Sequence, residues 1–429
     1  MLCGLIVVAH FTMSSASISA PPAPPDKEQH RSNGAAARRR SWQQRRLMIN
    51  GTAAAGRGKA DALFRFALIS DSHHWPASSE RQAFVSKSDA QPIRDGLVVG
   101  RSPETWAAAL TTLQKFAANG GAFAIHAGDP ACGGASFHAS SREFEAQLRA
   151  VAAAERAALP RGWPIYHVPG NHDLEPNVGG LAPWLAILGG GGEGGDGHEP
   201  AAATGVPHPA GPTHAHRALR RDGWRIILLD TASAVGIDTD GHGHVGAHQL
   251  RWLERQLDEA AAEGDHVILV AHQLLVPPID RMGQRCAWFV PQYDLVDNAE
   301  DVLSLMDRHS HVRLVLHAHV HANSLTMRRG VPFVTSASAS EYPMTWREVI
   351  VRRCGELELR SHQLAVSKET LDASAQRDTR GFNEAKRDCS SAEPRILLHP
   401  PASAVASTKA CAGAAAPATP GAGQAVAEL

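Results

Sequence analysis

Apolar runs of strand length recur between residues 63 and 316 and alternate with segments of helical periodicity. Each run is bounded by Gly, Pro or polar residues, which is typical of buried strands. The predicted strands cover residues 63–69, 122–125, 165–168, 224–230, 267–270 and 313–316. Between them, apolar residues spaced three or four apart predict helices that begin at Ser102, Ser141, Gln249 and Asn298.

Three further β-type segments, at 331–334, 347–352 and 357–360, follow the last predicted helix. Strands alternating with helices, then a β-rich end, predict an α/β domain over residues 61–366. Within it, residues 187–221 are rich in Gly, Ala, Pro and His without periodicity, which predicts a loop insertion that is either disordered or a lid. Residues 367–429 are charged and then Ala/Pro-rich, and we expect a disordered tail there.

The first 60 residues have the composition of a leader or a disordered basic arm. A short apolar run before Ala20-Pro21-Pro22 resembles a weak signal peptide, although it lacks a basic start. The arginines that follow, with no acid between Glu28 and Asp61, are also compatible with an organelle transit segment. An upstream extension with translation starting at Met48 is a third alternative. Without a stronger targeting signal, the cytoplasm is the default expectation.

Bulk composition narrows the class of protein. Hydrophobic residues make up 43% and charged residues 20%, which is typical of a globular chain, and no stretch reaches the roughly 18 apolar residues of a membrane span. A net charge of −1 and the absence of a basic stripe argue against long nucleic acid as a partner. The six cysteines are scattered without a CxxC pair, so we expect reduced thiols rather than a disulfide framework or a cysteine-built zinc site. The oligomeric state stays open.

Polar side chains with metal-binding chemistry follow five of the predicted strands. They are Asp71, His73, Asp129, Asn171, His272, His319 and His321. Open α/β sheets place ligands at the carboxyl ends of their strands, where loops can bring such residues together. Mixed oxygen and imidazole ligands without thiolate favour a first-row ion such as Mn, Fe, Co or Zn over calcium. The set is large enough for two metals, with one carboxylate shared between them.

A two-metal site of this kind predicts phosphoryl chemistry. Two metals about 3.5–4 Å apart can bind a phosphoryl oxygen, generate hydroxide at neutral pH and stabilise an in-line displacement. The leaving oxygen still needs a proton donor. His172, next to Asn171 and expected to point elsewhere, is the candidate general acid.

These blocks resemble the signature motifs of the calcineurin-like metallophosphoesterases, in the same chain order. The matching blocks are Asp71-Ser72-His73, Gly128-Asp129, Gly170-Asn171-His172-Asp173, His272 and Ala318-His319-Val320-His321. The resemblance implies a four-layer α/β/β/α sandwich of two mixed sheets flanked by helices, with a binuclear centre of two divalent ions (Mn, Fe or Zn) at the carboxyl edges of the strands. One ion would be held by Asp71, His73, Asp129 and His321, and the other by Asp129 as the bridge with Asn171, His272 and His319. His172 would protonate the leaving group.

Two positions depart from the family pattern. Ala318 replaces a usual Gly, a small change at a small residue. Cys132 lies three residues after Asp129, where some relatives carry the Asp that orients the acid histidine. Asp173 or another acid could take that role, or His172 could act unassisted.

The sequence therefore predicts metal-dependent hydrolysis of a small phosphate ester, a monoester or a diester, with nucleotides among the candidates. The alternative is a catalytically silent binding module on the same scaffold, which should have lost ligands or the acid histidine. None is lost. His242 and His244, near Asp238 and Asp240, fit a solvated loop better than a third metal site.

Overall fold

The computed structural model describes residues 62–75, 102–132, 140–175, 178–189, 214–235, 241–279, 284–286, 289, 291–352, 355–376 and 395–398. All of them belong to one unit, Met48–Leu429. The expected leader, most of the loop insertion over 187–221 and most of the tail lie outside the described residues. Among the described helices, none is both long and apolar enough to cross a membrane.

The described elements alternate as the sequence predicts. The strands are β1 (Ala62–Ile69), β2 (Phe123–Ala127), β3 (Ile165–Val168), β4 (Arg217–Arg221), β5 (Trp224–Leu228), β6 (His266–Val270), β7 (Val312–His317), β8 (Ser324–Arg328), β9 (Val331–Thr335), β10 (Thr345–Arg352), β11 (Leu357–Gln363) and β12 (Arg395–Leu398). The helices are α1 (Ser102–Ala118), α2 (Ser141–Ala158), α3 (Ala182–Ile187), α4 (Ala247–Glu263), α5 (Pro291–Asp294), α6 (Ala299–Asp307) and α7 (Lys368–Gln376).

Two mixed six-stranded sheets form the centre of the fold. The first has the order β12-β11-β10-β1-β2-β3, and the second has the order β4-β5-β6-β7-β9-β8. In the first sheet β1, β2 and β3 are parallel, and in the second β5, β6, β7 and β9 are parallel. The remaining pairings are antiparallel and lie toward the outer strands.

Alternating side chains on each strand divide the core into three apolar layers. On β6, Ile268 and Val270 face the space between the sheets, whereas Val267 and Leu269 face α4 and α6. On the outer side of the first sheet, Trp106 of α1 packs with α2 and α3 in a separate cluster. The molecule is therefore a four-layer α/β/β/α sandwich, the fold class that the resemblance implies.

Three short strands and the three helices α3, α5 and α7 were not predicted from the sequence. Residues 217–221, predicted as part of the loop insertion, form β4, and residues 324–328 form β8 without having been predicted. In the predicted disordered tail, 368–376 is the helix α7 and 395–398 is the strand β12. Each of the three strands lies at an edge of its sheet and is formed by pairing with one neighbour. Its local sequence alone therefore carries a weak signal.

One cysteine also departs from expectation. Cys286 is disulfide-bonded, with a partner outside the described residues, while Cys132 is a buried thiol that forms no disulfide. The expectation of reduced thiols is thus wrong at Cys286. Scattered cysteines without a CxxC pair exclude a compact framework, but they do not exclude one pairing between distant positions.

Candidate metal centre

The predicted ligands lie just past the carboxyl ends of five parallel strands. Asp71 and His73 follow β1, Asp129 follows β2 and Asn171 follows β3, all from the first sheet. From the second sheet, His272 follows β6, and the pair His319 and His321 follows β7. Backbone hydrogen bonds hold neighbouring loops together, for example from the Asp71 amide to the Gly128 carbonyl at 3.0 Å. The fold thus brings residues from both sheets to one edge.

Left-handed backbone is concentrated at these positions. Among the described residues, eight non-glycine residues have positive φ, and five of the eight are predicted ligands. They are Asp71 (50°), His73 (41°), Asp129 (54°), His319 (70°) and His321 (53°). Such a conformation is unfavourable for a residue with a Cβ and persists only where surrounding contacts fix it. At Asp71 the contacts are visible: the hydroxyls of Ser338 and Ser340 donate to its carbonyl at 2.7 and 2.8 Å.

Two glycines allow the loops to approach one another. A Cβ at Gly170 would lie 2.2 Å from Asp129 Oδ1, and a Cβ at Gly128 would lie 2.1 Å from His272 Nδ1. Gly128 also has φ of +100°, which side chains rarely tolerate. The glycines of the Gly128-Asp129 and Gly170-Asn171 motifs are therefore required by close packing against neighbouring side chains of the cluster.

Potential ligand atoms converge in three overlapping groups. Within each group the atoms lie within 4.8 Å of one another. The groups are Asp71 with His73 and His321, His73 with Asp129 and His172, and Asp129 with His272 and His319. Asn171 joins the third group, because its Oδ1 is 3.2 Å from His272 Nε2. Asp129 thus lies between two sets of donors, where a shared carboxylate would have to be.

Several imidazoles are oriented by a partner on the side facing away from the cluster. His272 Nδ1 donates to the Ala127 carbonyl at 2.7 Å, which leaves Nε2 facing Asp129 Oδ2 at 3.1 Å. His321 Nδ1 is 2.7 Å from the Glu341 carboxylate, and its Nε2 faces Asp71 at 3.3 Å. His319 Nε2 donates to the Tyr293 carbonyl at 3.1 Å. This is the arrangement that metal-binding histidines usually have, with one nitrogen fixed and the other available.

The electrostatics of the cluster are those of a cation site. Asp71 and Asp129 are completely buried, yet their pKa values are lowered, because His321 and His272 outweigh the effect of burial, which would raise them. Burial alone would lower the pKa of these histidines, but the carboxylates raise it to about 9 at His272 and about 10 at His321. The buried carboxylates thus favour positive charge at their neighbours, a role that bound divalent ions could also fill. The residues present therefore fit a centre of divalent ions.

His172 is part of the same cluster. Its ring meets the ring of His73 edge-on at 5.0 Å, and its amide donates to Asp129 Oδ1 at 2.9 Å. Like His319 and His321, it is partly buried. Burial lowers the pKa of its imidazole, while Asp129 raises it. The expectation that His172 points elsewhere is therefore wrong: it points toward the cluster and is open on one side.

Asp173 does not orient the His172 ring. Its Oδ2 accepts from the amides of Gly170 at 2.8 Å and Asp129 at 3.1 Å, and its Oδ1 accepts no hydrogen bond from the described residues. Its two hydrogen bonds instead hold the loop of Gly170 against the loop of Asp129. Burial and the charge of Asp129 raise its pKa well above the usual range. Cys132 is fully buried, in keeping with a packing role.

Other histidines close to the predicted ligands, and Asn323, have ordinary partners. His74 and Trp75 are buried, and His74 packs 6.1 Å from the Trp106 ring. His126, His167 and His317 bind Ser72 (2.7 Å), Glu155 (3.2 Å) and the Leu275 amide (3.2 Å), respectively. Asn323 binds the Ala337 amide and Arg347. These side chains therefore support the fold.

The segment with His242 and His244 is not a solvated loop throughout. Gly241, Gly243 and Val245 are buried, and a Cβ at Gly241 would lie 3.3 Å from the His319 ring. His242 pairs with Asp297 at 3.3 Å. Asp238 and Asp240 lie outside the described residues. The segment therefore borders the cluster.

Two contact residues of the cluster were missed from the sequence. Glu341 and the carbonyl of Tyr293 each fix an imidazole, but neither follows a predicted strand. Glu341 is buried in a loop after β9, and an isolated buried acid in a Ser-rich segment was the one available signal. A backbone carbonyl gives no sequence signal at all.

Comparison with known proteins assigns the family. The model of the calcineurin-like phosphoesterase family matches residues 64–323, which contain all seven predicted ligands and His172. The chain belongs to this family, and thus to the hydrolases that act on phosphoric ester bonds. Members of the family use divalent metals, in agreement with the Asp and His groups described above.

Individual relatives are more distant. A 3',5'-cyclic adenosine monophosphate phosphodiesterase from Escherichia coli K12 is 24% identical over 226 residues, which cover 50% of this chain and 68% of that protein. A cAMP/cGMP dual specificity phosphodiesterase from Mycobacterium tuberculosis is 33% identical over 126 residues, covering 29% of this chain and 35% of the relative. Among solved structures, a dimetal phosphatase from Danio rerio has a TM-score of 0.49 at 16% identity, covering 71% of this chain and 98% of the other.

Proposed function

We propose that this chain hydrolyses a small phosphate ester, with phosphodiesters of the cyclic-nucleotide type as the first class to test. The observation that carries the proposal is the convergence of Asp and His donors from both sheets in overlapping groups around Asp129. A binding module without catalysis would not need the partly open His172 beside this cluster. The enzyme is therefore the better-supported alternative.

In this proposal the cluster holds two divalent ions, with Mn, Fe and Zn as candidates. Asp71, His73, Asp129 and His321 hold one, and Asn171, His272 and His319 hold the other, with Asp129 shared. When bound, the ions supply positive charge to the phosphate and lower the pKa of water toward neutrality. Glu341 and the Ala127 carbonyl keep His321 and His272 in the required orientation.

His172 acts as the general acid in the proposed reaction. Its partly buried ring lies beside His73 and Asp129, at the edge of the proposed metal cluster. Proton donation by a positioned side chain typically accelerates such a step by about 10²–10⁴-fold. Burial lowers the pKa of this imidazole, and the neighbouring carboxylate of Asp129 partly opposes that effect.

The substrate class rests on the relatives and on charge. Two cyclic-nucleotide phosphodiesterases are among the sequence relatives, one of them matched over 68% of its length. The chain has a net charge of −1, so it offers no overall attraction to a long polyanion. A small phosphodiester fits both observations better than nucleic acid does.

A substrate panel with metal control tests the proposal. The purified chain is assayed with 3',5'-cyclic AMP, bis-p-nitrophenyl phosphate, p-nitrophenyl phosphate and pyrophosphate. We expect hydrolysis of the diesters, loss of activity with chelator and recovery with Mn²⁺. The matched control is Asp129→Asn, which removes the shared carboxylate and should not recover.

The panel separates two kinds of failure. A metal-loaded protein that leaves every member of the panel intact would overturn the proposed reaction. Hydrolysis of the monoester alone would keep the reaction but overturn the diester class.

A further inference from the structure

Three histidines outside the phosphoesterase cluster meet on another part of the surface. His214 and His216 directly precede β4, and His248 lies in the first turn of α4. The ring of His214 stacks on His216 at 5.0 Å and on His248 at 4.9 Å between centroids. His214 and His248 are exposed, and His216 is partly buried. None of the three belongs to the groups around Asp129.

Chain geometry places the three rings on one face. The rings of His214 and His216 stack on each other at 5.0 Å, while Ala215 between them, at a bend just before β4, is buried in the core. On α4, His248 and Trp252 are one turn apart and also share a side. The His216 ring packs 4.6 Å from the Trp252 ring. The segment before β4 and the first turn of α4 thus bring their histidine rings into contact.

The backbone on both sides is anchored. Gln249, next to His248, accepts from the Asp230 amide at 2.9 Å and donates to the Asp230 carbonyl at 2.6 Å, which ties the start of α4 to the end of β5. Ala215 is only 2% exposed. The backbone therefore keeps the three histidines close together, and rotation of the side chains alone can bring their nitrogens to ligand distance.

The donor set and its spacing suit a transition metal. One nitrogen of each histidine lies within 4.8 Å of the others. A tetrahedral zinc ion with Zn–N of about 2.0–2.1 Å would hold its nitrogens about 3.4 Å apart, within reach of exposed rings that can rotate. Three imidazoles without carboxylate or thiolate favour borderline ions such as Zn²⁺, Ni²⁺ or Cu²⁺ over Mg²⁺ or Ca²⁺.

We infer that His214, His216 and His248 form a separate binding site for one borderline divalent metal ion, with zinc as the ion to test. A bound ion would fasten the edge strand β4 to the first turn of α4. The fourth coordination position faces solvent, because two of the three rings are exposed. The site is therefore stabilising, and it is independent of the two ions at Asp129.

Local charges are compatible with a cation. The partly buried His216 ring lies beside the exposed rings of His214 and His248, and imidazole binds a metal ion in its neutral form. The amino-terminal turn of α4 carries a partial positive charge that opposes a cation weakly.

Zinc titration of the full chain tests the site. The protein is first loaded until metal analysis shows the centre at Asp129 to be filled, and Zn²⁺ is then titrated against a chromophoric chelator. We expect one further equivalent in the wild type and a rise in melting temperature on its addition. In His214→Gln/His248→Gln the affinity for that equivalent should fall more than about 100-fold, since even partners that only orient ligands change metal affinity 10–100-fold.

His362→Gln is the matched control. His362 is partly buried and also stacks on a tryptophan, Trp346 at 4.8 Å, but it lies outside the three-histidine group. It should keep the further equivalent, as should His172→Ala, so that the result does not depend on phosphoesterase activity. The inference is overturned if the loaded wild type binds no further zinc, or if the double variant binds as much as the wild type. If the double variant misfolds, the single variant His216→Asn repeats the test.

Discussion

At His172 the geometry makes a prediction about proton transfer. The His172→Ala variant should lose about 10²–10⁴-fold in kcat, with metal content and melting temperature unchanged, because the ring donates a proton but holds no ion in our assignment. The loss should be much smaller for a p-nitrophenyl leaving group, which needs little protonation, than for an alkyl or nucleoside leaving group. Steady-state kinetics with both classes measures the difference.

Equal losses for both leaving groups would contradict the role of His172 as general acid, as would a parallel loss of bound metal. His172→Asn is the matched variant. It keeps a hydrogen-bonding side chain of moderate size but cannot donate a proton usefully, so it should resemble the alanine variant.

Gly170 gives a second prediction at the scale of a single atom. Gly170→Ala should lower kcat/KM by about 10²-fold, because the added Cβ would lie 2.2 Å from Asp129 Oδ1 and displace it. The backbone at Gly170 has φ of −110°, which alanine adopts, so backbone strain is not the cause. Gly180→Ala is the control, since its Cβ would meet nothing closer than 3.8 Å. Equal kcat/KM of the two variants would show that Asp129 can be displaced without loss of activity.

The residues that converge at Asp129 could be found from the sequence, because each of them follows a predictable strand. Asp71 and His272, for example, come directly after apolar runs that could form only buried strands. Glu341 and Tyr293 were not accessible, because their contacts with His321 and His319 arise from tertiary packing rather than from local pattern. The left-handed backbone at five ligands also has no sequence signal, since Asp and His occur in every type of loop.

Among the elements, the buried strands and amphipathic helices were predicted close to their observed bounds. Strands buried on both sides are apolar throughout, and helices buried on one face repeat apolar residues every three or four positions. Both patterns can be seen directly in the sequence. The strands β4, β8 and β12 were missed, and each lies at an edge of its sheet. An edge strand buries less surface, so its sequence is mixed and its formation depends on the neighbour with which it pairs.

Glu358 on β11 forms ion pairs with arginines of three strands, and we expect these pairs to make stability depend on pH. Its fully buried carboxylate binds Arg352 of β10 at 2.5 Å, Arg360 of β11 at 2.8 Å and Arg395 of β12 at 2.5 Å. Burial raises its pKa, but the arginines outweigh burial and lower it from 4.5 to about 2. Because the pKa is lower in the folded state, this stabilisation is present above pH about 4.5 and is lost as the pH falls toward 2.

The corresponding variant is Glu358→Gln. A shift of this size is worth about 3 kcal/mol at pH 7, so urea unfolding should show a loss of that order at pH 7 and little difference from the wild type near pH 2. Glu254→Gln removes an exposed pair with Arg308 and should change the free energy of unfolding by less than about 1 kcal/mol. If Glu358→Gln has the same free energy of unfolding as the wild type at pH 7, the ion pairs between Glu358 and the three arginines do not stabilise the fold.

For the whole molecule, the proposed ions connect two sheets. Asp71 and Asp129 belong to loops of the first sheet, whereas His272 and His319 belong to loops of the second. Ligands that bind only the folded state stabilise it by about 4 kcal/mol at 1,000 times their dissociation constant. Removal of the ions should therefore lower the melting temperature by at least about 5 °C.

Differential scanning calorimetry of the metal-loaded and chelated protein, with metal analysis of each sample, measures this effect. His272→Ala is the control, because it already lacks a ligand from the second sheet and should respond less to chelation. Unchanged melting of a fully metal-free wild type would mean that the sheets hold together without the ions.

The distance along the chain between the halves of the cluster has a consequence for biosynthesis. The amide of His319 donates to Asp71 Oδ2, and the rings of His73 and His321 meet, across 248 residues in both cases. Proteins are synthesised from the amino terminus, and early segments begin to fold before later ones exist. A nascent chain therefore exposes Asp71 and Asp129 long before their histidine partners have been translated. The full set of proposed metal ligands is therefore complete only after the last of these histidines has left the ribosome.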